Sequence, residues 1–197
     1  EIELADAPTK QILHSHLANL YWQYFQYNRY KFYNRTTTES KVDPIDFRTW
    51  DLNTLFKEID EHFSASLMSA EKTQSLPISD FDGIYRPTLF DVLAHTALNF
   101  YTSNENSINR PLNTFEIDDP KILCEAYTSS FLKFSDLKNT SLQAKALGIY
   151  QELVAFHFGN PDINPLVMVD IARLLFIHKN AVFTNKDNLL LEVLQNS

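Results

Sequence analysis

The sequence predicts an all-α protein, a multi-helix array or bundle of about seven helices, and three observations support this prediction. Apolar residues recur at three- and four-residue spacing along most of the 197 residues. Polar capping residues precede several of these periodic segments. The chain has only three glycines, which argues against tight β-hairpins, because their turns need residues that tolerate positive φ.

The first helix is predicted over residues 9–33 and is the longest. Its main apolar stripe is expected to comprise Leu13, Leu17, Leu20, Tyr24 and Tyr27, with Ala18, Tyr21, Phe25 and Phe32 beside it. Its aromatic density exceeds what a solvent-facing helix should expose. We therefore expect Tyr21, Tyr24 and Phe25 to be mostly buried.

Two shorter helices follow, each after a polar connector without periodicity. Asp51 is expected to cap the first of them, which ends near residue 69, and Trp50 is expected to pack at its start. Thr88 and Asp91 form a variant of the capping box that opens the second. The Arg-Pro-Thr sequence at residues 86–88 is accordingly predicted to start a helix rather than to bind a ligand.

The last third of the chain is more regular. Asp119 and Pro120 form a cap and first-turn pair for a helix that is predicted to end near residue 134. The final three helices are predicted to begin at Ser141, Asn164 and Thr184. Short turns join them as in a tetratricopeptide-type array, although no 34-residue period is visible, so the last third is only loosely of this type.

Composition bounds the partners of the chain. The formal charge of −8 would repel a polyanion, so we expect no nucleic-acid partner. No apolar run approaches the roughly 20 residues that span a bilayer, so we expect no direct membrane span. The chain begins with Glu rather than Met. We expect residues 1–197 to form a single helical domain that is a segment of a larger protein.

Two acid and histidine pairs are the strongest candidates for chemistry. Glu58 and His62, and likewise Asp91 and His95, stand four residues apart on predicted helices, so each pair could share a face. Together they could form a metal or acid-base site if their helices faced each other. Because such pairs arise often by chance, we assign them structural roles.

The other candidates also have structural interpretations. Cys124 is expected to be a small buried hydrophobe on a helix, and Asp170 with Arg173 to form a local ion pair within an apolar helix. The aromatic and basic residues of the segment 21–35 spread around a helix, which favours core or interface packing over base stacking. We therefore assign no catalytic, cofactor-binding or metal-ligating residue, no cofactor and no enzyme activity.

Four motifs occur in order along the chain: LANLYWQYFQYNRYKFYNRT at 17–36, DFRTWDL at 46–52, YRPTLFDVLAH at 85–95 and IYQEL at 149–153. Together they resemble the helical N-terminal region that precedes the macroglobulin domains in alpha-2-macroglobulin-like proteins of Bacteroidetes-type bacteria. Many members of that family carry a Cys-x-Glu-Gln thioester. The only cysteine here stands in the sequence Cys124-Glu125-Ala126-Tyr127, so the resemblance places no thioester in this segment.

The resemblance implies a non-catalytic scaffold or interaction domain of a protein in the bacterial cell envelope, periplasmic or associated with the outer membrane. The full-length protein would be a protease inhibitor that traps proteases. The implied partners are neighbouring domains of the same polypeptide, and other proteins. The alternative is a free-standing helical-repeat adaptor that binds a peptide or protein in a groove of its last three helices.

Overall fold

The computed structural model describes residues 2–33, 41–79, 83–107, 115–124, 131 and 141–196. Within these ranges the chain is an array of seven α-helices and a few 3₁₀ turns, without a sheet, which confirms the predicted fold class. The helices are α1 (Thr9–Tyr33), α2 (Leu52–Ser66), α3 (Ala70–Gln74), α4 (Leu89–Tyr101), α5 (Leu142–His157), α6 (Asn164–Asn180) and α7 (Lys186–Asn196).

Residue contacts divide the chain into two compact units. The first unit comprises residues 1–78 and 88–100, and the second comprises residues 79–87 and 101–197. None of the described helices is both long enough and apolar enough to cross a bilayer.

In the first unit, α1 packs along α2 through a face that differs from the predicted stripe. The buried line of α1 comprises Gln11, His14, Ser15, Ala18, Trp22, Phe25 and Phe32. Leu20 and Tyr27 of the predicted stripe are 51% and 87% exposed. The prediction of that stripe was wrong because the N-terminal part of the buried line, Gln11, His14 and Ser15, is polar. Apolar periodicity therefore does not reveal it. Hydrogen bonds compensate part of this polar burial, such as the one from Gln11 Nε2 to the Met68 carbonyl (3.2 Å).

An aromatic cluster forms the core of the first unit. Trp22 stacks on Phe25 (centroids 5.4 Å apart) and meets Phe100 of α4 edge-on at 5.2 Å. Phe25 also meets Phe56 of α2 edge-on at 4.9 Å. Phe25 is fully buried, as predicted, whereas Tyr21 and Tyr24 are half-buried. The half-buried tyrosines flank Phe47 at 5.1 and 5.0 Å, at the border of the cluster.

The start of α2 follows the prediction closely. The Asp51 carboxylate accepts a hydrogen bond from the Thr54 amide at 2.8 Å, which makes it the N-cap. Trp50 is buried, and its indole N–H donates to the Asp43 carbonyl at 2.6 Å. The ammonium group of Lys41 lies over the Trp50 ring, 4.4 Å from its centroid. Trp50 therefore anchors the connector that leads into α2.

The Arg-Pro-Thr segment does start a helix. The Thr88 hydroxyl and amide both donate to Oδ2 of Asp91, at 2.7 and 3.0 Å, and the Asp91 amide points back at the Thr88 hydroxyl at 3.4 Å. This is the reciprocal arrangement of a capping box, with Asp in place of the usual Glu. The Leu89 amide also donates to the Leu76 carbonyl at 2.9 Å, which ties the start of α4 to the end of the preceding segment.

In the second unit, α5 packs on α6, which also contacts α7. Ser141 caps α5 by accepting from the Ala144 amide at 3.1 Å, as predicted. Gly159 has φ +86° just past the end of α5, a conformation that glycine adopts without strain. Asn164 was predicted to cap α6, but it is the first residue of the helix. Its backbone amide donates to Asp162 Oδ1 at 3.0 Å.

The helix predicted to run from Asp119 to about residue 134 is wrong in its first part. Asp119 caps as predicted, but it opens a 3₁₀ turn, Pro120–Ile122, and Leu123 is not helical (φ −86°, ψ 74°). Residues 125–130 and 132–134 lie outside the described residues. The Ile122 and Cys124 carbonyls, which a helix would pair internally, accept instead from the Arg173 guanidinium at 3.3 and 2.6 Å.

Candidate interaction surface

The two charged residues of the segment 163–177, Asp170 and Arg173, are both buried in the second unit. Arg173 is fully buried and donates from Nε and Nη2 to one oxygen of Asp170, at 2.8 and 2.5 Å. The predicted local ion pair is therefore confirmed. The guanidinium also lies over the Phe131 ring, 4.3 Å from its centroid. These contacts compensate the charge, whose burial would otherwise be costly.

The opposite face of α6 exposes apolar side chains. Ile163, Val167, Ile171 and Leu175 are 63%, 39%, 47% and 56% exposed. Residues spaced by four form a continuous ridge along a helix, the type of ridge that fits the groove of a second helix. Because the charged residues of this segment point inward, no charge interrupts the ridge from residue 163 to residue 177.

A groove lies along the first half of this ridge. Ile163, Asn164, Val167, Met168 and Ile171 line it on α6, and Tyr85 lines it from the segment 79–87 of the same unit. Its volume is about 530 Å³. The Asn164 amide offers polar contacts at one end of an otherwise apolar lining. The groove therefore suits apolar side chains of another protein segment better than a charged ligand.

The structure does not bring the predicted acid and histidine pairs together as a site. Glu58 forms an ion pair with Lys41 (2.7 Å), and Asp91 is occupied by the capping box. Within the ranges that the structure describes, no three His, Cys, Asp or Glu side chains are grouped so as to hold a metal ion.

His62 contacts His14 of α1 instead, with 2.8 Å between their Nδ1 atoms. His14 stands in no sequence pattern that marks it as a candidate. The two histidines are 48 residues apart, so no local spacing signals the contact.

The remaining candidates have structural positions. Cys124 was predicted to be a buried helical residue, but it is half-buried in a bend, because its carbonyl accepts from Arg173. The rings of the segment 21–32 do spread around α1 as predicted, with Trp22 buried and Tyr30 80% exposed. Arg35, the last residue of the segment 21–35, lies outside the described residues.

Comparisons with known proteins add no further assignment. No family model, no curated protein and no solved structure matches this chain.

Proposed function

We propose that this chain is a non-catalytic helical scaffold and interaction domain of an alpha-2-macroglobulin-like protein of the bacterial cell envelope. One observation carries the interaction role: between residues 163 and 177 the apolar ridge points outward, and the two charged residues, Asp170 and Arg173, point inward. Helices at a protein surface normally have the opposite distribution. A contiguous exposed apolar face of this kind is typical of a surface that another protein segment covers.

The occupant that we propose is a neighbouring domain of the same polypeptide. A covalently linked domain meets the ridge at high effective concentration, so a modest apolar face suffices for stable docking. Interfaces between domains of one chain typically bury about 600–1,500 Å². In this proposal, protease trapping belongs to other domains, and the present domain supports them.

The four motifs that resemble the family support this proposal, because their residues have structural roles. Trp22 and Phe25 belong to the core, and Asp51 and Asp91 are capping residues. In the motif at 149–153, the residues Ile149, Tyr150 and Leu153 are buried. The motifs thus mark positions where a helical scaffold requires particular residue types.

A peptide-binding adaptor is the second candidate, and the groove beside Tyr85 favours it. Its volume of about 530 Å³ lies within the range of about 300–1,000 Å³ that is usual for ligand pockets. An amphipathic peptide helix could place one or two apolar side chains there. In this case the surface would be free until the peptide binds.

The mass of the native protein distinguishes the two candidates. An antibody raised against the chain should detect, in a lysate of the source cells, a polypeptide several times larger than 22.9 kDa. The open reading frame should continue past Ser197 into macroglobulin domains. A native polypeptide of 22.9 kDa, with a stop codon after Ser197, would refute the scaffold proposal and leave the adaptor.

A further inference from the structure

A pair of histidines joins α1 to α2 in the first unit. The Nδ1 atoms of His14 and His62 lie 2.8 Å apart, and the ring centroids are 5.0 Å apart. His14 is 8% exposed, and His62 is half-buried. At this distance the two nitrogens form a hydrogen bond.

This geometry limits the number of protons that the pair can hold. A neutral imidazole has one nitrogen that donates and one that accepts, whereas an imidazolium donates from both. The contact therefore needs one protonated Nδ1 and one unprotonated Nδ1. If both rings were imidazolium ions, two N–H groups would face each other at 2.8 Å and each ring would carry a positive charge. The folded state thus excludes one proton that the unfolded chain accepts in acid.

The surroundings of His62 act in the same direction. Burial lowers the pKa of His62, and Lys41 lowers it further, against the opposing effect of Glu58 and Glu61 on the same helix. The ion pair between Lys41 and Glu58 keeps these two charges beside each other.

On the α1 side, the titratable groups near His62 are His14 and Tyr21, whose ring centroid lies 6.1 Å from that of His62. The pKa of Tyr21 is raised by burial and by Glu58, so its hydroxyl stays neutral near neutral pH.

We propose that the contact between His14 and His62 is a proton-sensitive latch between α1 and α2, closed at neutral pH and released by acid. Its contribution to stability is complete above the unfolded histidine pKa of about 6.5. The contribution falls as the pH drops from that value through the lower folded pKa. For one excluded proton, the equilibrium constant of unfolding rises by up to about tenfold per pH unit in this window.

Nitrogen NMR of ¹⁵N-histidine-labelled protein tests the proton count directly. The signals of His16, an exposed histidine of the same helix, serve as the internal reference in a titration down to pH 5.5. One Nδ1 of the pair should keep the chemical shift of an unprotonated nitrogen at that pH. If both Nδ1 atoms were protonated in the folded protein, the proposal would be overturned.

Two variants of the 197-residue chain test the link to stability. His62→Asn places a non-titrating amide near the position of Nδ1, and His16→Asn is the matched control. In urea unfolding, the equilibrium constant of unfolding of the wild type should rise between pH 7.5 and pH 5.0. In His62→Asn this rise should be smaller, by up to about tenfold per pH unit. It should be unchanged in His16→Asn. An equal acid loss in all three proteins would refute the latch, including the case in which all three unfold at the same pH.

Discussion

At the scale of single residues, the side chain with the most demanding surroundings is Arg173. Its charge is fully buried and is balanced by Asp170, two backbone carbonyls and the Phe131 ring. A buried ion pair adds little net stability compared with apolar residues, but removal of one partner leaves an uncompensated charge. The residue therefore fixes where the segment 122–124 lies relative to α6.

Asp170→Ala should destabilise the second unit strongly. Because Arg173 would keep a buried charge without its carboxylate, we expect a loss of about 3–5 kcal/mol in urea unfolding. The matched control is Asp187→Ala, which removes an exposed hydrogen bond between Asp187 Oδ1 and His178 Nε2 (2.6 Å) and should cost at most about 1 kcal/mol. Similar losses in both variants would contradict the role assigned to Arg173.

Phe25→Ala tests the aromatic core of the first unit. Phe25 is fully buried and contacts Trp22, Phe32 and Phe56, so its truncation should cost about 3–5 kcal/mol. Tyr27→Ala on the same helix is the control, because Tyr27 is 87% exposed, and it should cost less than about 0.5 kcal/mol. A loss below about 1 kcal/mol for Phe25→Ala would mean that the ring is exposed in solution.

The sequence identifies some of these residues and hides others, for a physical reason. Phe25 was predicted to be buried because large aromatic rings are rarely exposed in number. His14 and Gln11 are buried because each finds a partner on a distant segment, His62 and the Met68 carbonyl. Such partners depend on tertiary structure, so apolar periodicity did not reveal the polar first half of the buried line of α1.

At the scale of helices, starts were predictable where the capping partner lies within a few residues. Asp51, Ser141 and the Thr88–Asp91 pair all act over three residues. The segment after Asp119 was not predictable, because Arg173, some 50 residues later, takes the carbonyls that a helix would use. Local capping signals therefore place helix starts more reliably than they place helix lengths.

Asp51→Ala measures one of these local signals. Loss of the carboxylate leaves the Thr54 amide without its capping acceptor, so thermal or urea unfolding should show a loss of about 0.5–2 kcal/mol. Asn53→Ala, an exposed change in the first turn of the same helix, should stay within about 0.5 kcal/mol of the wild type. If the two variants were equally stable, Asp51 would not cap α2 in solution.

At the scale of the whole molecule, the fold class was predictable and the position of the exposed apolar ridge was not. The segment 163–177 has apolar residues all around the helix, so its periodicity does not distinguish the core face from the outer face. The buried charges decide the orientation, because Arg173 must point to the carbonyls at residues 122 and 124. The ridge of Ile163, Val167, Ile171 and Leu175 is left outward as a consequence.

The rate at which a thiol reagent labels a cysteine placed at residue 171 tests the central claim most directly. The labelling of Ile171→Cys would be compared between the isolated chain and the complete native polypeptide. Both proteins would also carry Cys124→Ser, which removes the native thiol of this chain. The control is Gln195→Cys, at an exposed position of α7. If a neighbouring domain covers the ridge, residue 171 should be labelled at least about tenfold more slowly in the complete polypeptide than in the isolated chain. A tenfold change corresponds to docking worth about 1.4 kcal/mol. Residue 195 should be labelled at the same rate in both proteins. Equal labelling of residue 171 in the two proteins would contradict the account.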